Sequence, residues 1–157
     1  MAYGYTLFCD DIRHEMGGKM SYMGVYRSIM YVPAFPFQLP KLAIAITYLE
    51  LKTEKQAETV ELLVYLPGDP DDKPSVRAPV SFDAEKVISL PSENPTAERQ
   101  VSMQTILEMT PFLVVAPGSI KVRIKRDDEV IKIGRLQIRL KDEKGVGGET
   151  SAERADS

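Results

Sequence analysis

Only one histidine and one cysteine occur in the chain, His14 and Cys9, so any nucleophile and base pairing has to begin with them. Both fall in Leu7 to Glu15, a stretch that reads as the first strand. Successive side chains of a strand leave opposite faces, and positions 9 and 14 have opposite parity, so a Cys–His pair would need a bulge between them. Cys9 is therefore expected to pack as a small apolar residue, with His14 in solvent near a turn. No CxxC, HxxxH or HExxH spacing occurs, and one Cys with one His cannot complete a structural zinc site without carboxylates. No cofactor is expected.

Carboxylates are more plentiful. Asp10, Asp11 and Glu15 could suggest acid–base work, yet neighbours on a strand point apart, which leaves only Asp11 and Glu15 able to share a face. One of Asp10 and Asp11 should face inward and be paired there, Arg13 and Arg27 being the nearby cations. Asp69, Asp71 and Asp72 lie in one loop and Asp127, Asp128 and Glu129 in another. If the two loops met at one end of the fold, they could hold calcium with hard oxygen ligands. The rival reading is that Asp simply favours turns.

Cations gather late in the chain. Lys121, Arg123, Lys125, Arg135, Arg139 and Lys141 alternate with apolar residues on two adjacent strands, and pairing of those strands would place all six on one solvent face able to attract an anion. No aromatic residues interleave there, so base stacking has no support and nucleic acid is not an expected partner. A plainly solvated outer face is the competing reading. Aromatic and Met residues gather early instead. Tyr22, Tyr26, Tyr31, Phe35 and Phe37 lead this group, which suits either core packing or a protein interface.

The elements that must position these groups follow from period-two alternation. Val60 to Leu66, Ile120 to Lys125 and Arg135 to Lys141 alternate apolar and polar, and Ser119 to Lys141 reads as consecutive antiparallel strands joined at Arg126 to Glu129. Gly134 marks a bulge or bend. Met16-Gly17-Gly18 is a hairpin turn that pairs the first two strands, and Leu42 to Leu51 is a central strand buried on both faces. Pro33, Pro36 and Pro40 make residues 32–41 an extended crossing between sheets. Pro67 to Pro74 and Pro91 to Pro95 are loops, residues 98–109 read as strand with a short helix as the alternative, and residues 142–157 read as a disordered tail.

Two stretches carry a resemblance. LFCDDIRHEMGGKMSYMGVY, residues 7–26, resembles the start of an uncharacterised family of small bacterial proteins that open with a CDDIR-like strand, a GGK turn and a GVY strand. It implies bacterial or phage origin and no assigned activity, and runs to about residue 141. PFLVVAPGSIKVRIKRDDEVI, residues 111–131, is similar to the late strands of immunoglobulin-like sandwiches, though Ile120 stands where such folds often place a tyrosine.

With 157 residues, 43% hydrophobic and 27% charged, the chain suits a single domain with one core. The expected fold is an all-β, two-sheet antiparallel sandwich, immunoglobulin-like or C2-like, over residues 1–141, with about eight strands. A lone cysteine, no leader and no apolar run long enough to span a bilayer point to a cytoplasmic protein without membrane partners. The function expected is a non-catalytic interaction or accessory module with an unidentified protein partner or self-association. The alternatives are a sandwich binding calcium or an anionic polymer and, last, an enzyme built on Asp11 and Glu15.

Overall fold

The structure, a computed structural model, describes residues 2–51, 57–80 and 100–141. Among these lie twelve strands and no α-helix: β1 (Ala2–Cys9), β2 (Asp11–His14), β3 (Met20–Met23), β4 (Ile29–Val32), β5 (Phe37–Leu39), β6 (Leu42–Leu51), β7 (Val60–Tyr65), β8 (Val76–Pro79), β9 (Gln100–Met109), β10 (Phe112–Val114), β11 (Gly118–Arg126) and β12 (Glu129–Leu140). Residues 98–109 are thus strand from Gln100 onward. The Pro91 to Pro95 loop and the tail at 142–157 lie outside the described residues.

Two sheets face each other. One has the order β1-β6-β9, the other β4-β12-β11-β7-β8, while β5 pairs with β10 and β2 with β3. Their shared core takes Phe8 and the large residues of β6, Leu42, Ile44, Ile46 and Tyr48, from the first sheet. Val60, Leu62 and Val64 of β7, Ile120, Val122 and Ile124 of β11, and Leu136 and Ile138 of β12 come from the second. These are the alternating apolar positions, and burying each side chain is worth about 1.5–3 kcal/mol. The sheets approach closely where β1 crosses β12. A Cβ on Gly134 would stand 2.5 Å from Thr6 Cβ, and one on Gly4 would stand 3.0 Å from the Ile133 side chain.

Strand β6 explains the rest of the first sheet. Its other face carries small side chains, Ala43, Ala45 and Thr47, all buried. That allows the β2–β3 hairpin to fold back over it, where Ile12, Met20 and Tyr22 close a second small cluster on Cys9, Ala43 and Ala45. Gly17 and Gly18 turn the hairpin in the left-handed region, with φ of 78° and 73°.

Four expectations need correction. Leu7 to Glu15 is not one strand, because the chain bends at Asp10 and changes partner, so β1 and β2 belong to different sheets. Neither Asp10 nor Asp11 is buried. Not every pairing is antiparallel: β4 runs parallel to β12, from Gln137↔Ile29 to Leu140↔Val32, because the chain reaches that edge after the hairpin excursion and enters it in the same direction. Lastly, the acidic loops do not meet. Antiparallel pairing of β7 and β11 runs from Lys121↔Tyr65 to Arg126↔Val60, which puts the Asp69–Asp72 loop at one end of these strands and the Asp127–Glu129 turn at the other. A shared calcium cup is ruled out by that register.

Candidate anion-binding site

The outer face of the five-stranded sheet is where the described structure concentrates charge. Cross-strand register sets Lys121 opposite Arg135 on one side and Tyr65 on the other. In the next row Lys132 lies opposite Arg123, which lies opposite Leu63 and then Arg77. Lys125 follows opposite Glu61, and Arg139 sits toward the β4 edge opposite Tyr31. Directly paired residues of a sheet project on one face, so these cations share a surface. Lys141 is exposed just past the end of β12.

Lys132 joins them because of a bulge. The register slips between Val122, opposite Gly134, and Arg123, opposite Lys132, leaving Ile133 as the extra residue. Counted by twos from Arg135, position 132 would point into the core; the bulge reverses its phase. A concavity of about 480 Å³ lies at the bulge, with Lys121, Arg123, Lys132 and Arg135 in its lining.

Arg123 is the best held of these cations. Its guanidinium lies 4.6 Å over the Tyr65 ring, and its side chain is only 17% exposed. One amino group reaches Asp71 Oδ1 at 3.3 Å, while its buried Nε has no hydrogen-bond acceptor among the described residues. Lys121 Nζ approaches the same Asp71 oxygen at 3.5 Å, and Arg135 Nε donates to Ser119 Oγ at 3.1 Å. The charge of Lys121, then the Arg123 hydrogen bond, holds the Asp71 carboxyl below the ordinary range. Arg77 pairs with Glu61. Lys125, Lys132 and Arg139 have no carboxylate within ion-pair distance among the described residues.

The loop that carries Asp71 is fastened by Asp69, whose Oδ2 accepts from the Leu66 and Ser75 N–H groups at 2.8 and 2.9 Å. Burial opposes ionisation of Asp69, but those hydrogen bonds outweigh it and lower its pKa. Asp127, at φ 49°, plays the same part at the opposite end, accepting from the Thr59 and Glu58 N–H groups at 3.0 Å. Both carboxylates tie down turns. Among the described residues no group of three or more His, Cys, Asp or Glu is placed to hold a metal ion.

The aromatic residues singled out in the sequence are not brought together. Tyr22 is half-buried in the hairpin cluster, while Tyr26, Phe35 and Phe37 pack against the main core. Tyr26 also donates its hydroxyl to Asp10 Oδ1, and burial, then that bond, pushes the phenol up. Only Tyr31 is exposed, on the outer face of the other sheet. Asp11 and Glu15 likewise take different partners. Asp11 joins Lys41 at 2.8 Å and Arg13 at 3.3 Å, with Lys41 continuing to Glu108 at 2.7 Å, and Glu15 accepts from Ser21 Oγ. Lys41, then Arg13, keeps the Asp11 carboxyl below its usual range. Cys9 is fully buried and His14 is exposed.

The sequence reading set Lys121, Arg123, Lys125, Arg135, Arg139 and Lys141 on one face; the strand register places the first five side by side, leaves Lys141 past the strand end, and brings in Lys132, Arg77 and Asp71, which that reading did not include. The Gly134 bulge was the signal that could have recovered Lys132.

Comparison with known proteins adds one finding. A family model described as a family of unknown function (DUF6941) matches residues 4–141. No curated protein and no solved structure matches the chain.

Proposed function

We propose that this chain, which belongs to the DUF6941 family, is a non-catalytic binding module that engages an anionic partner across the outer face of the five-stranded sheet. The observation that carries this reading is the row structure of that face, where Arg139, Arg135, Lys132, Lys121, Arg123 and Lys125 stand on neighbouring positions of β12 and β11. The whole chain carries a formal net charge of −3, so this face is a local departure from the average. A cationic sheet surface speeds encounter with an acidic protein partner and loses that advantage as salt screens it.

Strand connectivity supports an immunoglobulin-like frame for the module. The order β12-β11-β7-β8 follows that of the G, F, C and C′ strands of variable-type domains, and β1-β6-β9 that of A, B and E. A buried, free Cys9 is compatible with the cytoplasm of a bacterium or an infecting phage as its setting. Among the described residues no helix is long and apolar enough to cross a membrane.

Fluorescence anisotropy with labelled poly-glutamate tests the reading. Binding should weaken steeply between low and physiological salt, and the Lys125→Glu, Arg139→Glu double variant should lose it while remaining folded by circular dichroism. Binding that ignores both salt and charge reversal would count against it.

Self-association has one observation of its own. Tyr3 and Tyr5 are 43% and 49% exposed on the outer face of the first sheet, beyond the part that the hairpin covers. Light scattering of the wild type and of Tyr5→Ser would show whether that surface holds copies together.

A further inference from the structure

We propose that the concavity over the β11–β12 bulge is a phosphate-group site, with Arg123, Arg135, Lys121 and Lys132 as donors and Asp71 as an internal carboxylate that a bound phosphate displaces. The inference rests on the reading of the basic face and names the ligand chemistry of its centre.

The first argument is charge matching. Four cations line the concavity, and among the described residues Asp71 is the carboxylate that meets them, through Lys121 and Arg123. A phosphate group brings close to two negative charges and three acceptor oxygens to these four cations, where the Asp71 carboxylate that it displaces brings one charge and two oxygens. Two of the four donors are guanidinium forks, which suit a tetrahedral oxyanion better than single ammonium groups do.

The second argument is preorganisation. Arg123 is stacked on Tyr65 and 17% exposed, so its position does not rest on Asp71 alone, and its buried Nε has no acceptor among the described residues. Ser119 orients Arg135. Lys132 is brought to this face by the bulge, whose extra residue, Ile133, packs into the core instead.

The third argument concerns Asp71. It is 77% exposed and meets Arg123 and Lys121 at 3.3 and 3.5 Å, longer than a tight charge-assisted bond. An exposed, loosely held carboxylate marks where an anion sits and yields to a stronger one. Asp69 holds the loop independently, so Asp71 can be altered without releasing the loop.

The experiment is a titration of the ¹⁵N-labelled full chain with inorganic pyrophosphate, read by amide shifts and calorimetry, with phosphoserine as a second arm that separates free from ester-borne phosphate. Saturable binding should shift amides of residues 121–123 and 132–135. Asp71→Asn should tighten it several-fold. Arg135→Ala and Arg123→Lys should weaken it about tenfold or more, the lysine keeping charge but losing the fork, and Arg13→Ala on the hairpin that packs against the other sheet should leave it unchanged. Preference for either arm supports the site and identifies the source. No saturation at millimolar pyrophosphate and phosphoserine, shifts spread evenly over the sheet, or an Asp71→Asn variant that binds no better would overturn it. If phosphate fails while poly-glutamate still binds in a salt-dependent way, the site falls and the anionic-partner reading stands; if both fail, both fall.

Discussion

Individual side chains here separate into those that tie turns and those that fill space. Asp69 and Asp127 each accept two backbone N–H groups and have pKa values below the ordinary carboxylate range. A carboxylate with a depressed folded-state pKa contributes stability that is complete above its unfolded value, about 4, and fades as pH falls through the folded value. Urea midpoints should therefore stay level from neutrality to about pH 4 and drop below it. Asp69→Asn and Asp127→Asn should lower the neutral plateau and flatten the acid limb, and a variant that keeps the full wild-type limb would remove its carboxylate from this account. Thr6 Oγ1 presents the opposite case, a buried hydroxyl with no hydrogen-bond partner among the described residues. Its near-isosteric replacement Thr6→Val should raise stability by about 1 kcal/mol in denaturant unfolding, since nothing satisfied is lost and an unmet polar group is removed. Burial, then the nearby Asp10 and Asp11 charges, pushes the Cys9 thiol up. Dithionitrobenzoate should accordingly react with it slowly in the native protein and at once in guanidinium.

At the scale of elements, the two crossings of β1 over β12 decide how closely the sheets pack. Gly134 faces Thr6 and Gly4 faces Ile133, each too near for an added Cβ without movement. Gly134→Val should cost about 1–3 kcal/mol through overpacking, measurable as a lower urea midpoint. It should also disturb the phase of the bulge and hence the placement of Lys132. An unchanged midpoint would mean that the sheets are free to separate there. The hairpin is a different kind of element, held by small residues beneath it. Ala45→Leu should lift β2–β3 off β6 and increase amide exchange across residues 11–23, with much less effect on β11 and β12.

For the molecule as a whole, stability lies in the apolar face shared by the two sheets, and the cations gather on the polar face turned away from it. Ile120, wholly buried between them, should cost about 2–5 kcal/mol when truncated to alanine, enough to threaten a domain of this size. The same strand carries Lys121 and Arg123 on its other side, so one element serves both ends, and its alternation is what keeps them apart.

That alternation was legible from the residues alone. Period two at Val60–Leu66, Ile120–Lys125 and Arg135–Lys141 determined the strands, and Gly17-Gly18 determined the hairpin, because side-chain parity and positive φ are local properties. It also identified most of the basic face, since Lys121, Arg123 and Lys125 must share a side wherever the strand lies. Tertiary structure alone decided the rest. The bend at Asp10, the parallel entry of β4, the separation of the two acidic loops to opposite ends and the arrival of Asp71 on Arg123 all depend on which distant strands pair and in what register. The bulge shows the limit best: Gly134 signalled an irregularity, but only pairing with β11 shows that it turns Lys132 outward. Register is set by the summed burial of whole strands and by the chain connections between them, and no short run of residues contains that sum.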